Sequence, residues 1–205
     1  MIAPYPSISY PLMEHFYTIQ GEGFHQGKAA YFLRLGGCDV GCVWCDVKDS
    51  WDGSKHPLTS IEDMIQYVKS TPAELVVITG GEPLLYDIDP LIAALQRVGL
   101  SVNIETSGAY ALSGQPNWIC VSPKKFKAPI DSILPLANEL KVVIFHKSDF
   151  EWAETFAAKV SSACQLYLQP EWDKRDEMTP LIVDYIKSNQ KWLISIQSHK
   201  YIQVP

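Results

Sequence analysis

The sequence predicts an α/β fold, a truncated and partial (βα) barrel with about six core parallel strands. Three observations carry this. Short apolar runs of strand length alternate with amphipathic helical stretches along most of the chain, and that alternation builds a parallel sheet with crossover helices. The strands are too few to close an eight-stranded barrel. The polar, glycine-bearing motifs fall just after strand ends, where parallel sheets bind their ligands.

Residues 1–11 hold three prolines and no periodicity, and read as an extended arm. His15 to Gly23 is polar and glycine-rich, and reads as a loop. Ala30 to Leu35 is the first core strand and leads directly into a cysteine-bearing loop. Residues 46–59 are polar and irregular. Ser60 is a helix N-cap, with Asp63 three residues on and Ile61, Met64, Ile65 and Val68 at helical spacing. Leu75 to Ile78 is a short continuous apolar run, as in a strand buried on both faces. Asp89 to Val98 is a helix ended by Gly99. Strands follow at Leu100 to Ile104, Trp118 to Val121, Leu140 to Phe145, Gln165 to Leu168 and Trp192 to Ile196. Helices are expected over Phe150 to Val160 and Met178 to Ser188. No linker, low-complexity tract or second core interrupts the pattern, so residues 1–205 are expected to form one domain.

Composition narrows the class. Of 205 residues, 47% are hydrophobic and 20% charged, as in an ordinary globular protein. The formal net charge of −6 gives no basic surface for nucleic acid. No apolar run is long enough to span a bilayer and no signal peptide is visible, so neither a membrane nor a secreted setting is expected. Five cysteines, three of them clustered, fit a reducing cytoplasm better than a disulfide framework. Cys120 and Cys164 lie in apolar, strand-like runs and read as inert core thiols.

Two motifs carry chemistry. Cys38, Cys42 and Cys45 are spaced C-x3-C-x2-C on a loop with Gly36, Gly37 and Gly41. Three thiolates are an odd number for disulfides, and one fewer than closes a tetrahedral zinc site or ligates a whole iron–sulfur cluster. A [4Fe–4S] cluster held by three cysteines keeps one iron free for a small molecule. A partial zinc site and unrelated thiols are the plain alternatives. The second motif, Thr79-Gly80-Gly81-Glu82-Pro83, follows the strand at 75–78. Its glycines let the backbone approach a ligand closely or take positive φ. Glu82 either adds to a ligand site or braces the loop.

Together these motifs resemble the radical S-adenosylmethionine (SAM) superfamily, and further motifs narrow the likeness. They are Gln20-Gly21-Glu22-Gly23, Arg34-Leu35-Gly36-Gly37-Cys38, Trp44-Cys45-Asp46, Lys48, Ser50-Trp51, Glu105-Thr106-Ser107-Gly108, Ser122-Pro123-Lys124 and Gln197-Ser198-His199-Lys200. In this order, from about residue 13 onward, they resemble the 7-carboxy-7-deazaguanine synthases of queuosine and deazapurine biosynthesis. The resemblance implies a radical SAM partial barrel, a homodimer and a lyase. Its reaction is ring contraction of 6-carboxy-5,6,7,8-tetrahydropterin to 7-carboxy-7-deazaguanine with loss of ammonia. A reduced cluster cleaves SAM to a carbon radical, and SAM is used catalytically. An electron donor such as a flavodoxin or ferredoxin is implied.

The resemblance also assigns residues. Cys38, Cys42 and Cys45 are the cluster ligands. Trp44, Asp46, Gly81, Glu82, Ser107, Ser122, Pro123, Lys124 and Gln169 form the SAM site. Ile19, Gln20, Gly21, Glu22, Arg34, Thr79, His199 and Pro205 face the pterin, with the carboxylate after Pro205 reaching the pterin amino group. Gln20 and Glu22 suit the amide edge of a pterin, and Arg34 suits its carboxylate through paired charged hydrogen bonds. A surface ion pair is the alternative for Arg34, a packed or solvated ring for His199, and a frayed tail for Pro205. Val47 departs from the pattern. The family has threonine there, whose hydroxyl helps hold Mg²⁺, and valine cannot ligate a hard cation. Lower dependence on Mg²⁺ is therefore expected. Two other readings remain at this point: a glycyl-radical activase, which shares the cysteine loop, and a non-catalytic metal-binding module.

Overall fold

The computed structural model describes residues 8–205. Nine strands form one sheet in the order β3-β1-β2-β4-β5-β6-β7-β8-β9. The strands are β1 (Ser9–Ile19), β2 (Ala29–Leu35), β3 (Leu58–Ser60), β4 (Leu75–Gly80), β5 (Ser101–Thr106), β6 (Trp118–Val121), β7 (Glu139–Ile144), β8 (Gln165–Pro170) and β9 (Trp192–Ile194). From β2 to β9 neighbouring strands are parallel, which makes seven parallel strands. β1 adds to β2, and β3 to β1, antiparallel. β3 and β9 are the edges, so the sheet is open.

Of the stretch His15 to Gly23, expected as a loop, His15 to Ile19 is part of strand β1. Its polar residues reflect an antiparallel flank with one face turned outward, where alternation replaces a continuous apolar run. Glu14 and His15 are exposed while Leu12 and Thr18 are buried. Residues 9–11 of the expected arm belong to the same strand, and residues 1–7 lie outside the described residues.

Helices α1 (Ile61–Lys69), α2 (Asp89–Arg97), α3 (Asp149–Ala157) and α4 (Arg175–Ser188) lie in four of the six parallel connections, β5–β6 and β6–β7 crossing without an α-helix, and α5 (Ser198–Ile202) follows β9. Their ends follow local chemistry. Ser60 Oγ accepts from the Asp63 N–H at 3.1 Å and donates to the Asp63 carboxylate at 2.6 Å, a reciprocal cap. Gly99, at φ +87°, ends α2 in the left-handed region that side chains avoid. The fourth helix begins at Arg175, three residues before the apolar periodicity shows it, because a charged first turn carries no apolar signal.

Alternation along the central strands gives the sheet two unlike faces. Leu33, Leu35, Val76, Ile78, Val102, Ile104, Leu140, Val142 and Leu168 join the helices in one apolar cluster. The residues between them (Arg34, Thr79, Glu105, Lys141 and Gln169) line a cavity on the other face. That polar face positions the site.

Candidate active site

The site is built from loops at the carboxyl ends of β2, β4, β5 and β6, and from the segment after β9. The cysteine loop leaves β2 and is fixed by main-chain bonds. The Gly37 N–H donates to Ser50 O at 2.6 Å and the Cys38 N–H to Trp51 O at 3.0 Å. Tyr86 Oη donates to Gly36 O at 2.8 Å. The loop also knits to the glycine motif after β4. The Gly81 N–H donates to Leu35 O at 3.0 Å and the Glu82 N–H to Gly37 O at 2.8 Å. A Cβ at Gly81 would lie 2.2 Å from Gly37 O, and one at Gly80 2.1 Å from Leu35 O. The two glycines thus serve the close approach of two loops as well as any ligand.

Glu82 takes the bracing role. Its side chain is buried and accepts from the Leu84 N–H at 3.0 Å, Thr106 Oγ1 at 2.6 Å, the Ser107 N–H at 2.8 Å and Ser107 Oγ at 2.5 Å. These four bonds fill its acceptor capacity and tie the β4 loop to the end of β5. Glu82 and Pro123 do not line the cavity.

The cavity has a volume of about 270 Å³. Its walls hold Cys38, Cys42, Cys45, Trp44, Asp46 and Val47 from the cysteine loop, and Gly81, Ser107, Ser122, Lys124 and Gln169 beyond it. Ile19, Gln20, Gly21, Glu22, Arg34, Thr79, His199 and Pro205 also line it, so every other residue that the resemblance assigns to the site lines one cavity.

All three cavity cysteines are free thiols. Burial pushes Cys42 up to about 11, against the pull of Lys124, and raises Cys38 as well. Among the described residues no three His, Cys, Asp or Glu side chains are gathered to hold a single ion. A [4Fe–4S] cluster makes a different demand, since each cysteine binds its own iron and the thiols surround a body rather than meet at a point. Three free thiols on one cavity wall fit that demand, and a single-ion zinc module has no ready-made ligand set.

The charged groups form a chain across the floor. Lys141 of β7 is buried and pairs with Glu22, and its Nζ lies 3.6 Å from Glu105 Oε2. Gln20 Nε2 donates to Glu105 Oε1 at 2.9 Å, and Gln197 Nε2 to Glu22 Oε1 at 3.0 Å. Burial alone would raise Glu22, but Lys141 outweighs it and holds the carboxyl down at about 2. Burial also lowers Lys141, yet Glu105 and Glu22 keep it well above the usual lysine range. Lys124 Nζ donates to Ser122 Oγ at 2.6 Å and sits 5.4 Å from the Trp44 ring centroid.

The segment after β9 closes the cavity. The Ser198 N–H and Oγ both donate to Gly21 O, at 2.9 and 3.0 Å. Lys200 Nζ donates to Asp46 at 3.0 Å, reaching the cysteine loop. His199 packs against Gly21, where a Cβ would meet its ring at 2.1 Å, and burial holds its pKa below the ordinary value. Thr18 Oγ1 donates to Pro205 O at 3.2 Å. Arg34 Nε pairs with Glu14 at 2.6 Å while lining the cavity, so it has an ion pair and faces the cavity at once.

Sequence reasoning passed over Lys141, Glu105 and Gln197 as site residues. A signal existed for Lys141, since a lone lysine within a strand buried on both faces needs a partner inside the protein. Nothing local names that partner.

Residues 33–113 match the family model of the Radical SAM superfamily. The 7-carboxy-7-deazaguanine synthase of Flavobacterium psychrophilum is 53% identical over 195 residues, 95% of this chain and 92% of that protein. The synthase of the same name from Synechocystis sp. is 48% identical over 198 residues, 97% of this chain and 95% of that protein. The crystal structure of QueE from Escherichia coli aligns with a TM-score of 0.84 at 33% identity, covering 92% of this chain and 94% of that one.

Proposed function

Because the chain belongs to the 7-carboxy-7-deazaguanine synthase family and is a radical SAM enzyme, we propose that its cavity converts 6-carboxy-5,6,7,8-tetrahydropterin to 7-carboxy-7-deazaguanine with release of ammonia. The observation that carries this reading is the meeting of three free thiols and the Gln20–Glu22–Glu105 floor in one cavity.

Cys38, Cys42 and Cys45 would hold the [4Fe–4S] cluster, and the wall of Trp44, Asp46, Gly81, Ser107, Ser122, Lys124 and Gln169 would hold SAM. Bound there, the two would supply hydrogen-abstracting radical chemistry. The protein's part is to orient the substrate and exclude water. Ile19, Gly21 and Thr79 wall in the pterin, Gln20 and Glu22 read its amide edge, and Arg34 binds its carboxylate. His199, kept neutral at pH 7 by burial, offers one donor and one acceptor, and Pro205 faces the ring from the last segment. Glu82 acts through its braces, and Pro123 lies between Ser122 and Lys124, both of which line the cavity.

A homodimer, a flavodoxin or ferredoxin as electron donor, and a cytoplasmic setting rest on the resemblance. No helix among the described residues is long and apolar enough to cross a membrane. A glycyl-radical activase is disfavoured, since a protein backbone would need an open groove, and a paired charge network on a cavity floor suits a small polar ring.

The test is anaerobic incubation of reduced, cluster-loaded enzyme with SAM and carboxytetrahydropterin. Appearance of the deazaguanine chromophore is expected, and its absence from enzyme with a full cluster overturns the reading. Mg²⁺ is proposed to be less important here, because Val47 offers methyl groups where an oxygen ligand is needed. Chelation is expected to leave most of the turnover, and a strong loss restored by Mg²⁺ alone would refute this.

A further inference from the structure

Lys141 is a buried charge flanked by apolar residues of β7. It sits on β7 between Leu140 and Val142, which are fully buried in the apolar cluster. Its own side chain turns to the opposite face, 5% exposed, into the cavity floor. A lysine so buried survives only with its charge matched. Three carboxylates surround it: Glu22, Glu105 and Glu139. Glu139 is committed elsewhere, since it accepts from Trp118 Nε1 at 3.0 Å and the Phe24 N–H at 3.3 Å, and burial raises its pKa. Lys141 is left to Glu22 and Glu105.

Neither carboxylate is filled. Glu22 accepts from Gln197 Nε2 on one oxygen and from Lys141 Nζ on the other. Glu105 accepts from Gln20 Nε2 on Oε1, and Lys141 Nζ stands 3.6 Å from Oε2 as an ion pair without a hydrogen bond. A carboxylate offers about four acceptor positions, so each keeps acceptor capacity towards the cavity it lines. Two acceptors spaced by a shared ammonium suit a flat heterocycle that presents several N–H donors along one edge. Without Lys141, a buried Glu22 relieves its charge by taking up a proton, and a protonated carboxyl would present a donor where the ring presents one too.

We infer that Lys141 is a positioning residue for substrate recognition, its ammonium holding Glu22 and Glu105 as paired acceptors for the N–H edge of the pterin. The inference rests on the reading that the pterin meets Glu22.

The test is a double-mutant cycle on cluster-loaded enzyme with SAM present. The probe is 6-carboxypterin, a fluorescent, non-reacting pterin with the same carboxylate, and SAM affinity is measured alongside. Lys141→Met is expected to weaken 6-carboxypterin roughly tenfold, and only about twofold when Glu22→Gln is already present, because the partner charge is then gone. SAM affinity is expected to hold in both backgrounds. Equal losses in the two backgrounds, or no loss in either, overturn the inference, since a merely structural lysine would act additively. If Lys141→Met fails to load its cluster, Glu22→Gln is compared with the double variant. Similar affinities then support the inference and a further roughly tenfold loss refutes it. If Glu22→Gln alone binds 6-carboxypterin as the unaltered enzyme does, the site reading itself falls and takes the inference with it.

Discussion

At Gly81 the spacing between two loops is set by a single hydrogen atom. The Gly37 carbonyl and the Cys38 Cβ would lie 2.2 and 2.7 Å from any Cβ there, and both belong to the cysteine loop. Gly81→Ala must therefore push the loops apart, because neither neighbour is a flexible side-chain tip. SAM affinity is expected to fall by roughly tenfold or more, with loss of cluster absorbance after reconstitution. Equilibrium SAM binding and the visible spectrum check this.

His25 makes a second residue-scale prediction. Both its ring nitrogens are buried without a hydrogen-bond partner, beside Phe24 and Trp118. Burial, with Lys28 adding, lowers its pKa from 6.5. The unfolded chain therefore takes up this proton at higher pH than the folded one. Stability is full above about 6.5 and declines as pH falls below it. The urea midpoint is expected to drop between pH 7.5 and 6.0, and His25→Phe is expected to flatten that drop.

Elements divide by how local their causes are. The start of α1 is written in Ser60 and Asp63, and the end of α2 in Gly99, because capping joins neighbours in sequence. β1 was harder to read because its polar residues mark an outward face rather than a loop. Helix α5 shows the opposite extreme. Its five residues are too few to be stable alone, and they are held by Gly21, Glu22 and Asp46 from distant loops. Gly21→Ala is expected to dislodge it, since the new methyl would collide with the His199 ring and also lie 2.8 Å from its Cβ. The KM for pterin is expected to rise several-fold while SAM affinity stays near its original value, and steady-state kinetics with SAM titration check both.

Over the whole molecule, labour is split between the two faces of one sheet. One face packs the helices in the main apolar cluster and carries stability; the other holds a smaller apolar cluster of Ala30, Phe32, Leu75 and Val77 and, with its polar residues, carries the cavity. Ile104, fully buried in the apolar cluster, tests the first half. Ile104→Ala is expected to cost about 2–5 kcal/mol, as for other core truncations, measured by denaturant unfolding. Neighbouring Glu105 faces the cavity instead, so one residue step along β5 separates packing from recognition.

The α/β class, the parallel strands, the cysteine and glycine loops and the family are all written in the sequence. Each of these rests on contiguous residues, whose spacing sets local backbone geometry or brings thiols onto one loop. The terminal motif is also visible as a string, although its docking is not. That Glu82 braces rather than faces the cavity, that β1 is a strand and that Lys141 joins the floor emerge from the folded chain alone. Lys141 meets Glu22 across 119 positions of sequence. A buried charge is specified by its partner in space, and no local pattern encodes a partner brought in by another strand of the sheet.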